Sequence, residues 1–289
     1  MKTVFFAIAA VAAFVLTPLE AWAWGPGVHM AVGGKILSNL HLLTPFLAEL
    51  LARRRNAFLY GCLSADIFIG KGTSVRPGHS HNWQVGFDLL NSARDDTVMA
   101  YAYGYLSHLA ADIVAHNFYV PNLLVSAPTS GKFGHVYIEM QADRRVTWDR
   151  KLALQLFRQP NLSADRCLLT VLSKKQWPFQ IKKRLVRSGL SVVRRESWRR
   201  SLLMANQAMP LQDHGDYLRR MVDLTGDVVV NFLRSPENAA ALAFDPIGSR
   251  RLHQAPKLRR AGPALRRSRQ PRPFPVEKSL ASLPNVGLR

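Results

Sequence analysis

The sequence predicts an all-α protein. Apolar residues recur at helical spacing in segment after segment. No run shows the sustained alternation, broken by turn signals every ~8–12 residues, that a β-sandwich requires. The most apolar internal stretch, Thr97 to His116, contains no proline and no Lys, Arg or Glu, and reads as one long helix.

Residues 1–23 stand apart. Lys2, an apolar run from Val4 to Leu16, Pro18 and the small-x-small site Ala21-Trp22-Ala23 have the layout of a secretory signal peptide. The apolar run is short for a membrane span. Cleavage after Ala23 would make Trp24 the first residue of an exported protein, periplasmic or secreted, and give it a free α-amine. A single helical domain is expected over 24–247. Val28 to Leu40 is its first helix, with Gly27 at its start, and Leu43 to Arg53 follows with Pro45 tolerated in the first turn. Ala57 to Ile69 is apolar; Gly70 to Gly78 is a Gly/Ser/Pro loop; Asn82 to Ser92 is a short amphipathic helix. The long helix Thr97 to His116 leads to a loop, Val120 to Gly131, and a further helix, Gly134 to Arg150. Helices are also expected at Ala164–Lys174, Phe179–Arg187, Ser191–Ala205, Asp213–Leu233 and Pro236–Ala243. From Gly248 onward arginine and proline are dense and Glu277 is the one acid, a composition that predicts a disordered basic tail.

Composition narrows the function classes. A hydrophobic content of 48% excludes a wholly disordered chain. Beyond the signal, no apolar run is long enough to span a bilayer. The formal net charge of +20 points to anionic partners. Roughly half of it belongs to the tail, which weakens the case for a nucleic-acid module in the folded body. Cys62 and Cys167 could pair in an oxidising compartment, and a buried free thiol at Cys62 is an equal reading. No CxxC zinc module is present.

The strongest internal motif is His108-Leu-Ala-Ala-Asp112-Ile-Val-Ala-His116. Its i, i+4, i+8 spacing keeps three polar side chains near one helix face, drifting about 40° per step. Two imidazoles and a carboxylate in so apolar a helix are costly to bury unless bonded or metal-bound. His135 and Glu139 repeat the i, i+4 geometry. Asp66 sits in the apolar segment Leu63-Ser-Ala-Asp66-Ile-Phe, and His79 and His81 lie in the loop before Trp83. With Trp24 and His29 near the expected mature terminus, the candidates are all nitrogen or oxygen donors with no thiolate, a set that suits zinc. They are too many for one ion and suit two or three bridged by a carboxylate.

The ordered set resembles the zinc-dependent phospholipase C family and its relatives, the zinc-dependent single-strand nucleases. There, a processed N-terminal Trp ligates zinc through its amine and carbonyl, followed by a His, an Asp, a loop His, a helix with HxxxD and a further His, and a HxxxE or HxxxD pair. The resemblance spans Trp24 to Glu139. It implies that Asp66, His81, His108 and Asp112 hold one zinc, that His116, His135 and Glu139 hold a second, and that Trp24, His29 and the bridging Asp112 hold a third. His81 is preferred to His79 because it closely precedes Trp83; His79 would support it from outside the ligand shell. The Asp112-to-His116 gap is shorter than in bacterial phospholipases and the nucleases, whereas the Trp24-to-His29 spacing is more nuclease-like.

The implied activity is hydrolysis of a phospholipid phosphodiester by a metal-activated water, with Asp66 as general base. A basic stretch suits an anionic membrane surface: Lys174, Lys175, Lys182, Lys183, Arg184, Arg187, Arg194, Arg195, Arg199 and Arg200 interleave with Trp177, Phe179, Ile181, Leu185, Val192, Val193 and Trp198. One alternative is a nuclease, with Trp83, Phe118, Tyr119 and Phe133 as base-stacking platforms. Another is an exported metal-binding protein without turnover.

Overall fold

The computed structural model describes residues 24–68, 79–129, 131–211, 215–261 and 272–287. The expected signal peptide and the whole of the expected loop at 70–78 lie outside the described residues. Among the described residues every regular element is helical. The first half contains Pro26–Ser38 (α1), Pro45–Arg53 (α2), Arg55–Ser64 (α3), Trp83–Asn91 (α4) and Asp96–Val114 (α5). A π-helical turn, Ala115–Tyr119, joins α5 to Val120–Ser126 (α6). Then come Gly131–Arg145 (α7), Arg150–Arg158 (α8), Leu162–Val171 (α9), Gln176–Val193 (α10), Glu196–Ala208 (α11) and Asp216–Arg234 (α12). Ser249–Ala261 (α13) and Lys278–Ala281 (α14) end the chain.

α5 is the axis of the molecule. Asp95 caps it, its Oδ1 accepting from the amides of Thr97 and Val98 at 2.8 and 2.9 Å. Every residue from Gly104 to Val114 is buried. α3, α4 and α12 lie against it. α3 comes closest, because glycines face each other across the crossing. A Cβ on Gly61 would stand 2.1 Å from the Tyr101 carbonyl oxygen, and one on Gly104 would stand 2.0 Å from that of Phe58. This backbone-to-backbone approach lets the Cys62 carbonyl reach His108.

Four expectations are corrected. Val120–Ser126 is helix and not loop, since Pro121 falls in the first turn, where its missing N–H costs nothing. The helix expected to run to Arg150 stops at Arg145, and Arg150 opens a separate helix whose first turn is capped by Asp149, Oδ1 accepting from Leu152 N at 2.8 Å. Pro236–Ala243 is two 3₁₀ turns rather than one helix. The described parts of the tail are folded. α13 rests on α6 and on the π turn. Asn122 brackets the Phe274 backbone, donating to its carbonyl at 2.8 Å and accepting from its amide at 3.0 Å. Arg251 donates to the Asn117 carbonyl at 2.9 Å, lies over the Phe118 ring and pairs with Glu277. Ala255, Phe274 and Leu280 are buried. The bulk composition concealed these few apolar anchors, and Arg251 has a specific acceptor and ring to meet. Residues 262–271 lie outside the described residues.

Candidate metal centre

Three segments converge beside α5. Trp24 is fully buried, its indole Nε1 donating to the Ala111 carbonyl at 3.1 Å and its ring lying 4.8 Å from that of Tyr119. This seats the start of α1 next to Asp112, so His29 arrives there one turn later. α3 tightens at its end into a 3₁₀ turn, Ala65–Phe68, which presents Asp66. His81 comes from the segment before α4, held where Tyr105 donates to the Ser80 carbonyl at 2.5 Å. α5 supplies His108 and Asp112 on successive turns.

The candidate ligand atoms stand at a narrow range of separations. His29 Nε2 is 3.2 Å from Asp112 Oδ1; His108 and His81 Nε2 are 3.1 and 3.3 Å from Asp112 Oδ2. His81 Nε2 is 3.2 Å from Asp66 Oδ1 and 3.2 Å from His108 Nε2. Ligands held at ~2.0–2.1 Å in a tetrahedron stand about 3.3 Å from one another. His29 Nε2, Asp66 Oδ1 and both Asp112 oxygens are buried and make no hydrogen bond despite this proximity. Their lone pairs converge, which is what a shared cation requires. His79 stays beside the cluster, its Nδ1 accepting from the His81 amide at 3.1 Å; His81 is the one grouped with His108 and Asp112.

A second cluster combines His116, His135 and Glu139, with ligand atoms within 4.8 Å of one another. His135 Nε2 is 2.7 Å from Glu139 Oε1, and the His116 and His135 rings meet edge to face at 5.3 Å. His116 lies in the π turn and groups with α7 rather than with His108 and Asp112. π turns of this kind recur at functional sites. Its Nδ1 contacts the Pro246 carbonyl at 2.6 Å, as that of His108 contacts the Cys62 carbonyl at 2.9 Å. A carbonyl only accepts, so Nδ1 carries the proton in both rings and Nε2 of a neutral ring is left as the ligand.

The charges call for a cation. Burial above all, then Asp66, Asp112 and Asp143, pushes the Glu139 carboxyl well above its ordinary range. Burial, then the neighbouring His108, pulls His29 down. Burial also opposes charge on His108, but Asp112 and Asp66 together outweigh it and raise that ring to about 9. Burial opposes charge on Asp112 too, yet His108 and His29 hold it well below the usual carboxylate range. The residues fit zinc: nitrogen and oxygen donors, two groups that share His108 with a third beside them, and orphaned buried atoms aimed at shared points.

Sequence reasoning missed Asp143. Its carboxylate accepts from the amides of Gly27 and Val28 at 2.8 and 3.0 Å, tying α7 to the first turn of α1. Side chains on Gly25 or Gly27 would collide with it. Burial pushes Asp143 up to about 7, against the pull of the two amides. The signal was available, because His135, Glu139 and Asp143 continue the i, i+4, i+8 pattern. Also missed was a cleft that opens onto Glu139, between the start of α1, α7, Trp148 and α11. Two of the proposed base-stacking platforms, Phe118 and Tyr119, are buried and cannot serve; Trp83 is stacked on Phe232. Cys62 and Cys167 are both free thiols.

Residues 28–174, half of the chain, match the family model described as zinc dependent phospholipase C. No curated protein and no solved structure matches.

Proposed function

The chain belongs to the zinc-dependent phospholipase C family, and from that premise we propose that it hydrolyses the phosphodiester of a phospholipid, releasing diacylglycerol and a phosphorylated head group. The observation that carries this reading is the set of unbonded ligand atoms at tetrahedral separations around Asp112 and Asp66.

Asp66, His81, His108 and Asp112 would hold one zinc. His116, His135 and Glu139 would hold another. The amine and carbonyl of a processed Trp24, with His29 and Asp112, would hold a third, which requires export and removal of residues 1–23. When bound, the ions supply Lewis acidity at the phosphoryl oxygens and activate water at neutral pH. The chain's own contribution is placement. The carbonyls of Cys62 and Pro246 fix the tautomers of His108 and His116. Asp112 spans His29 through one oxygen and His81 and His108 through the other. Asp66 accepts the proton of the attacking water through an oxygen not used as ligand. The surrounding core, with Val28, Tyr105, Leu109 and Ile113 buried, excludes bulk water and strengthens every charge interaction at the site.

Metal analysis of the protein processed at Trp24, followed by assays on phospholipid and single-stranded DNA, tests this reading. The expected result is two or three zinc ions per chain with diacylglycerol release. Zinc with DNA cleavage alone would make it a nuclease. Zinc with neither activity would make it a binding protein, and absence of zinc would dissolve the cluster as assigned.

A further inference from the structure

Beside Glu139, the cleft has walls of opposite character. Val136, Met140, Val193, Trp198 and Leu202 are apolar; Arg144, Arg150 and Arg199 are cationic and outnumber the carboxyls of Glu139 and Asp143, the latter under the influence of Arg150. Arg199 is committed to Glu196, with N–O distances down to 2.7 Å. Arg144 bonds Gln141 through Nε at 2.9 Å, and neither it nor Arg150 has a carboxylate within ion-pair distance among the described residues. Arg150 lies over the Trp148 ring, 5.0 Å from its centroid. That occupies the aromatic face on which a trimethylammonium or ammonium group would otherwise stack.

We propose that this cleft selects the leaving group: it takes phosphodiesters whose head group is a neutral polyol or carries further negative charge, and rejects choline and ethanolamine head groups. The inference rests on the hydrolase reading and adds its specificity. With the scissile phosphate at the metal cluster, a head group directed past Glu139 would enter the cleft that Arg144 and Arg150 line. Guanidinium groups with no carboxylate at ion-pair distance attract a hydroxyl-rich or anionic head and repel a cation.

The test is hydrolysis of phosphatidylglycerol, phosphatidylinositol and phosphatidylcholine of matched acyl chains, each at the same low mole fraction in mixed micelles whose surface charge is set by an excess of anionic detergent common to every sample. The holoenzyme is expected to favour the first two by at least tenfold in kcat/KM. Arg144→Gln/Arg150→Gln should collapse that ratio, mainly through KM, with zinc content unchanged. A preference for phosphatidylcholine, or a ratio untouched by the double variant, overturns the selectivity while leaving the hydrolase reading intact. Hydrolysis of none of the three overturns both.

A different observation carries a second inference. Trp177, Ile181 and Leu185 are 76%, 39% and 43% exposed and sit at i, i+4, i+8 on α10. Exposed Lys174, Lys175, Arg184 and Arg187 surround them, and no acid occurs between Asp165 and Glu196. We infer that this face docks on an anionic lipid surface, the stripe inserting among acyl chains and the cations meeting lipid phosphates. Co-sedimentation with phosphatidylcholine vesicles, with and without phosphatidylglycerol, tests it. Binding to the anionic vesicles should fall with salt, and Trp177→Ala/Ile181→Ala/Leu185→Ala should weaken it at least tenfold with zinc content and thermal midpoint unchanged. Equal binding by the variant, or none by the parent, overturns it.

Discussion

The imidazole of His29 lies nearly flat on that of His108, with centroids 3.9 Å and planes 11° apart, and their ε nitrogens address opposite oxygens of Asp112. Two rings from different helices are thus registered by one carboxylate. Asp112→Asn keeps the shape but removes the charge and turns one acceptor into a donor facing an imidazole. At least one zinc per chain should be lost, and hydrolysis should fall on the order of 10²–10³-fold. Metal analysis beside steady-state kinetics checks this; unchanged zinc content would remove Asp112 from its bridging role.

Gly248 holds the second cluster from outside the family-matched region. Its φ is +62°, and a Cβ there would stand 2.4 Å from the His116 carbonyl oxygen. The preceding residues Asp245 and Pro246 accept hydrogen bonds from Asn117 and His116. Gly248→Ala should therefore cost about 1–3 kcal/mol of stability through left-handed strain and the clash. It should also loosen the ion that His116, His135 and Glu139 would hold before the others. Denaturant unfolding and stepwise zinc release in a chelator titration measure the two effects.

Asp143 gives a pH dependence with a defined sign. Its carboxyl is raised to about 7 when folded, against an ordinary value of 3.8. The folded state therefore holds this proton more tightly than the unfolded chain. That contribution is fully present below about 4 and is lost as pH rises to about 7. Asp143→Asn stays neutral throughout and keeps one acceptor for the α1 amides. The stability of the parent relative to this variant should fall between pH 4 and 7 and then level off. Paired urea unfolding series report the difference; a relative stability that rises over that window would mean that the two amides, and not burial, dominate the carboxylate.

Helix existence and the two i, i+4 pairs of candidate ligands were legible because each rests on local spacing. His108 with Asp112, and His135 with Glu139, are one-turn relations that a helix satisfies without knowledge of the fold. The π turn was not legible, since it leaves the apolar pattern around His116 intact while changing which cluster that ring joins. Nor was the folded tail: the pairing of Asn122 with Phe274 and the contact of Pro246 with His116 link residues well over a hundred positions apart. Asp143 fell between these cases, visible as spacing but meaningful only once α1 is seen starting on it. The cleft was hidden for the same reason, as Trp148, Arg150 and Trp198 share no sequence pattern.

Trp24 tests the link between processing and chemistry. Its indole is pinned to Ala111, the residue before Asp112, so the backbone at position 24 is anchored next to the cluster. If the amine is a ligand, one extra residue ahead of Trp24 converts it to an amide nitrogen that cannot bind zinc, while the indole anchor survives. The extended protein should fold normally, carry one zinc fewer, and lose activity on the order of 10²-fold. Trp24→Phe separates anchoring from ligation. It loses the hydrogen bond to Ala111 but keeps the amine, so it should lower the melting temperature more than the zinc content. Full zinc occupancy and full activity in the extended protein would reduce Trp24 to a buried anchor and leave His29 and Asp112 without their third partner.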